Sequence, residues 1–146
     1  MSVLNVVMSP IEKFAAPIGR LFIALIFVMS GLNKMGSYSG VAGWMEAMGV
    51  PGALLPLVIA LEVLGGLAVI IGWQTRYAAL LLSGFCLLSA LVFHANFADQ
   101  NEMMHFMKNL ALSGGFLFLV AHGGGTYALD NRTRADCPYK EHETSG

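Results

Sequence analysis

The chain has 146 residues, 56% of them hydrophobic and 12% charged, with a net charge of −1 and a mean hydropathy of +0.67. Soluble domains carry about 25% charged residues because water must cover their surface, so half that proportion excludes an ordinary solvated exterior. The near-neutral balance also excludes a basic footprint for nucleic acid, and the length suits one domain.

The chain opens with a short segment, 1–13, ending at Lys13. No A-x-A-like cleavage site follows it, and three further apolar runs come later, so the first run is expected to be an uncleaved span and not a signal peptide. A hydrocarbon core of about 30 Å needs roughly 20 helical residues. Segments 14–33, 53–72, 77–95 and 103–122 meet that length. The first and fourth carry Arg20 and Lys108, which must face protein or snorkel towards headgroups. The fold class that follows is all-α: an integral membrane four-helix bundle.

In span one, Arg20, Ala24, Phe27, Gly31 and Lys34 advance in steps of four and three and so form one helical stripe. Arg20 and Lys34 should stand about 21 Å apart along it. The loop 34–52 holds Tyr38 and the stretch Trp44-Met45-Glu46-Ala47-Met48, which reads as an interfacial helical turn with an aromatic anchor, closed by Pro51-Gly52. In span two, Glu62 sits near mid-depth and shares its face with Gly65 and Gly66, small residues that suit close helix packing. The tight connection 72–76 makes spans two and three antiparallel neighbours.

Span three carries the stripe Ala79, Ser83, Cys86, Ala90 and His94, and span four carries His105, Lys108, Asn109, Leu112 and Ser113 on one face. The loop between them is short and acidic. Gly123-Gly124-Gly125 stops the last span, and 123–146 reads as a polar tail. The glycine run follows a helix and precedes no Lys-Ser or Lys-Thr, so it is no phosphate loop. Lys13, Arg20, Arg76, Arg132, Arg134 and Lys140 fall on the side of both termini, against Lys34 and Lys108 on the other. The positive-inside rule then places both termini in the cytoplasm.

The economical arrangement turns every polar or small-residue stripe inward. Glu62 would lie mid-bundle, Arg20 towards one end, and Lys34, His94, His105, Lys108 and Asn109 in the outer half. Ionisable groups at membrane depth are costly unless paired, which makes each a functional candidate. The competing reading is structural: an ion pair that fixes helix register, and histidines that meet water and headgroups. His94 and His105 lack a third ligand at fixed spacing, so no metal site is expected. His122 needs only the free carbonyls of its helix end. The nine Met suit packing more than a copper site. Cys86 and Cys137 form no CxxC pair, and nothing brings them together.

This ordered set of polar positions inside apolar helices resembles the DoxX family. The likeness rests on Arg20 with Gly31 and Lys34, Glu62 with Gly65-Gly66, Gly72 with Arg76, His94, Lys108-Asn109, and Gly123-x-Gly125 leading to Asp130. It extends through the runs MEAMGVPGALLPLVIAL and FMKNLALSGGFL, and it covers about residues 18–130. The resemblance implies a four-helix bundle in the bacterial cytoplasmic membrane. It also implies a link to quinone chemistry, since relatives include subunits of a thiosulfate:quinone oxidoreductase. Arg76 and Asp130 belong to its pattern on the cytoplasmic side, and it assigns no catalytic residue. The chain has no dithiol and no haem or flavin motif, so an electron carrier would have to be a partner.

Three functions are therefore weighed. The first is a quinone-interacting redox protein, or the membrane subunit of an oxidoreductase, with a quinone or small aromatic ligand. The second is a structural or assembly subunit of a membrane complex. The third is a small proton-coupled transporter. A pocket of about 300 Å³ or more with Glu62 on its wall would favour a small molecule, and a filled interior would favour scaffolding.

Overall fold

The structure, a computed structural model, describes residues 3–135. It contains helices α1 (Val3–Gly36), α2 (Tyr38–Ala47), α3 (Leu55–Ile71), α4 (Thr75–Phe93), α5 (Gln100–His122) and α6 (Leu129–Ala135), with a single 3₁₀ turn, Gly52–Leu54, leading into α3. Among the described residues, four helical stretches are long and apolar enough to cross a membrane: Lys13–Gly36, Gly52–Ile71, Thr75–Phe93 and Gln100–His122. The side chains that point away from the bundle are those of a lipid-facing surface. Phe22, Leu57, Leu64, Leu88 and Phe118 each keep between 65% and 72% of their area uncovered, a density of exposed apolar groups that water would not tolerate.

The helix boundaries follow from local chemistry. Pro56 occupies the first turn of α3, where its missing N–H removes no bond. Gly72 ends that helix in a left-handed conformation, with φ +76°. Asp99 caps α5 by accepting from the Asn101 amide at 2.8 Å. Helix α1 begins earlier than its apolar run, at Val3, and accommodates Pro10 and Pro17.

Around the bundle the order is α1, α3, α4, α5, and the seam between α5 and α1 is the thinnest. Helices α1 and α3 meet across glycine. A Cβ at Gly31 would stand 2.5 Å from Val63 Cγ2, and one at Gly66 would stand 2.8 Å from Val28 Cγ2. Close approach is what lets dispersion hold helices together in lipid, where no hydrophobic force does so. Helices α4 and α5 are joined by Ser83 and Ser113, whose hydroxyls lie 2.8 Å apart. Phe27 meets Phe116 edge-on across the α1–α5 seam.

The inward stripes of spans one to three are largely those observed, whereas on span four Ser113 is buried but His105 and Lys108, at the wider outer end of the bundle, are exposed. Ala24, Phe27, Ala79, Ser83, Cys86, Ala90 and Ser113 are buried, as are Arg20 and Glu62. Apolar packing is densest around Ala24, Val69, Leu82, Cys86 and Phe116. These residues fill the half of the bundle where α1 begins and α5 ends, here called the near end. The half towards α2 and the α4–α5 loop, the far end, is less completely filled.

At the near end the chain after α5 turns back over the α3–α4 turn. Asp130 accepts from the Gln74 and Thr75 amides at 2.7 and 2.9 Å, and its own amide donates to Gly72 O. One side chain from a distant segment thus caps α4, which has no local cap. The stretch read from composition as a loose polar tail is therefore folded as far as Ala135. Cys137, Lys140 and the rest of the tail lie outside the described residues.

Candidate functional site

The far half of the bundle encloses a cavity of about 190 Å³ built around one ion pair. Helix α3 holds Glu62 with 3% of its area exposed. Lys34, two turns beyond Phe27 on α1, places Nζ 2.9 Å from both carboxylate oxygens. Ser30 lies one turn before Lys34. Its hydroxyl accepts from Lys34 Nζ at 2.6 Å and donates to Glu62 Oε1 at 3.2 Å. The ammonium has three acceptor atoms and the carboxylate two donor groups, so the charges are paired and hydrogen-bonded, as burial demands.

The pair forms one wall of the cavity. Aromatic and aliphatic side chains form much of the rest: Phe27 from α1, Trp44 and Met45 from α2, Phe85 and Phe93 from α4, and Leu112 from α5. Trp44 lies flat against Phe93, with centroids 4.8 Å apart, so α2 is folded onto α4 as one side of the enclosure. Ser89 from α4 and Lys108 and Asn109 from α5 add further polar atoms to the lining.

The far rim is a connected polar chain. His94 Nδ1 donates to Glu102 Oε2 at 2.6 Å, His94 stacks on His105 at 5.0 Å, and Lys108 Nζ donates to His105 Nδ1 at 3.1 Å. His94 and Lys108 also line the cavity. Among the described residues no group of three or more His, Cys, Asp or Glu is arranged for a metal ion.

The candidate residues divide into two places. Lys34, Glu62, His94, Lys108 and Asn109 surround the cavity, and His105 stands behind its rim. Arg20 is elsewhere. It is buried near the turn at Gly72, with Nη2 donating to Tyr127 O at 3.4 Å. Arg76 and Asp130 line a separate polar hollow of about 280 Å³ at the near end, together with Thr75, His122 and the glycines 123–125. His122 Nδ1 donates to Phe118 O, a carbonyl one turn back within α5 and not one of the free carbonyls at the helix end.

Several cavity residues were not singled out as site candidates from sequence. Trp44 reads as an interfacial anchor, and here it also walls the site. Ser30 carried a signal in its four-residue spacing from Lys34, since residues so spaced are helical neighbours. Ser89 and Phe93 carried none beyond lying on α4. Glu102 belongs to an acidic loop and is tied to His94 only by the fold.

Four apolar helices closed around a buried carboxylate–ammonium pair define a small multi-pass membrane bundle with an internal cavity. The chain belongs to the DoxX family, whose model matches residues 15–95. It is 46% identical to inner membrane protein YqjF of Escherichia coli K12 over 123 residues, which is 84% of this chain and 95% of that one. It is also 32% identical to inner membrane protein YphA of the same organism, over 79% of this chain and 87% of that one. No solved structure gives a significant match.

Proposed function

We propose that the cavity binds the ring of a quinone or hydroquinone, and that the protein acts as a quinone-interacting redox protein or as the membrane subunit of an oxidoreductase. The observation that carries this is the cavity itself: an aromatic-walled space lined also by a carboxylate–ammonium pair and by Ser89, Lys108 and Asn109. Its volume of about 190 Å³ falls short of the roughly 300 Å³ of sites for drug-sized ligands. It exceeds the roughly 150 Å³ that accommodates benzene in an engineered protein cavity. One ring with small substituents fits.

The walls match that ring chemically. Aromatic side chains stack on its faces. Lys108, Asn109 and Ser89 offer donors to one carbonyl oxygen, and the Lys34 ammonium, exchanging one of its present contacts, would offer a donor to the other. Two-electron reduction of a quinone consumes two protons, one at each oxygen. Glu62 and the His94–Glu102 pair, both hydrogen-bonded carboxylates beside the cavity, would be the groups to relay such protons. The electrons come from a partner, in keeping with the absence of a CxxC dithiol.

The location follows the same reasoning. The relatives' names place them in an inner membrane, and the excess of Lys and Arg on the near side favours cytoplasmic termini. The cavity then opens in the outer-leaflet half.

Quenching of Trp44 by a short-chain benzoquinone, in a Trp73→Phe background, tests the proposal. Saturable quenching is expected, with affinity lowered about tenfold or more by Asn109→Leu with Lys108→Met. Affinity unchanged by those substitutions would place the ring elsewhere. A second reading, a scaffold subunit, is favoured by the complete pairing of Lys34 and Glu62. In that case no ring compound would bind, and a reproducible protein partner would co-purify.

A further inference from the structure

The cavity shares one wall with a crevice on the outside of the bundle. Ile26, Ser30, Lys34, Val41 and Trp44 line the cavity and also line a shallow crevice of about 540 Å³ on the outside of the bundle, between α1 and α2. The crevice continues along α1 through Met29, Asn33 and Ser37. These positions recur every three or four residues, so they form one ladder along α1, about 16 Å from Ile26 to Ser37. Its two ends differ. The deep end, at Ile26 and Met29, is apolar and lies at the middle of the span; the shallow end, at Asn33, Lys34 and Ser37, is polar and lies at the helix terminus.

The far rim is tied together by the His94–Glu102 and His105–Lys108 hydrogen bonds and the stacked imidazoles. Trp44 and Phe93 add a stacked pair beside them.

We infer that the ligand of this cavity is a tailed amphiphile that enters sideways from the bilayer, its ring against Lys34 and Glu62 and its hydrocarbon chain in the α1–α2 crevice. The inference rests on the ring-binding reading above and adds to it the class of ligand. The polarity gradient of the crevice fixes the direction: a chain leaving the cavity past Ile26 and Met29 runs towards the bilayer middle, where hydrocarbon belongs. A ring without a tail would leave the crevice to lipid and gain nothing from it. A tailed ring covers Met29, which is otherwise half exposed, and keeps its head at the depth of the ion pair.

The experiment compares two probes in nanodiscs of fixed lipid composition, using full-length Trp73→Phe protein and Trp44 fluorescence. One probe is a dimethoxy-methyl-benzoquinone, and the other is the same ring with a ten-carbon chain. After correction for partition into lipid, the tailed ring is expected to bind at least tenfold more tightly. Met29→Phe, which fills the crevice without touching the cavity, should remove that preference and leave the affinity of the bare ring unchanged. Leu25→Phe, on the lipid face outside the crevice, should retain the preference. A preference that survives Met29→Phe, or is lost equally in Leu25→Phe, overturns the inference while the ring site stands. Failure of both probes to quench Trp44 overturns the ring site and the inference with it.

Discussion

Removing Lys34 is the most informative perturbation of the bundle. Its Nζ lies 2.9 Å from each oxygen of a carboxylate that is 3% exposed. At an effective dielectric of about 20, two unit charges at that distance attract by roughly 6 kcal/mol. Most of this offsets the cost of taking both ions out of water, so the net contribution of the intact pair is small. Lys34→Met removes the attraction and leaves the burial of Glu62, and the expected loss is about 3–5 kcal/mol. Glu62→Gln should cost less, about 1–2 kcal/mol, because the amide still accepts from Lys34 and the ammonium, with 24% of its side chain exposed, can reach outward. The double variant Lys34→Met with Glu62→Leu leaves no charge unpaired and should be more stable than Lys34→Met alone, giving a coupling of about 2 kcal/mol or more. Reversible unfolding in mixed micelles titrated with a denaturing detergent measures all four states of the cycle. Additive losses, each under about 1 kcal/mol, would refute the reasoning, since they would mean that Glu62 is solvated and the pair is unmade.

Other consequences are local. Ser83→Ala should cost about 0.6 kcal/mol, the usual worth of a hydrogen bond between membrane helices. Its cycle with Ser113→Ala should recover that coupling across the 2.8 Å contact. Asp130→Ala strips the α4 N-terminus of the side-chain acceptor for the Gln74 and Thr75 amides. A loss of about 1–2 kcal/mol is expected, in the range of helix caps, together with faster proteolysis after residue 123; Asp130→Asn should retain part of both. Reporter fusions check the orientation: alkaline phosphatase placed after Asn96 should be active, and placed after Trp73 or at the C-terminus it should be inactive.

How much of this was written in the sequence can be traced residue by residue. Helical phase is a strong signal in an apolar span, because a polar or small residue there has only one direction that is not lipid. That constraint alone puts Arg20, Ala24, Phe27, Gly31 and Lys34 on one inward stripe, and the structure buries the first four. The same holds for Ala79, Ser83, Cys86 and Ala90. Phase says nothing about which cation on the stripe meets the acid. Arg20 and Lys34 both qualify by direction, and depth decides between them, since Glu62 packs opposite Gly31 and within reach of Lys34.

Long-range contacts were the least legible. The family resemblance marks Asp130 as part of a pattern on the side of the termini, but not that it caps a helix more than fifty positions earlier. No periodicity connects a loop residue to a distant turn. Trp44 gave a correct but partial signal: its amphipathic ring suits an interface, and its seat on Phe93 depends on where α2 folds back. The cavity itself was invisible, because empty space is a property of four helices together and not of any one stripe.

The proposal that a ring occupies the far half of the bundle is tested most directly by photolabelling. An azido-substituted benzoquinone, irradiated with the protein in nanodiscs, should modify peptides carrying Ser30, Trp44, Phe93 or Lys108, and excess unlabelled quinone should protect them. Label confined to the near end or scattered over the lipid face, and indifferent to competitor, would contradict the account.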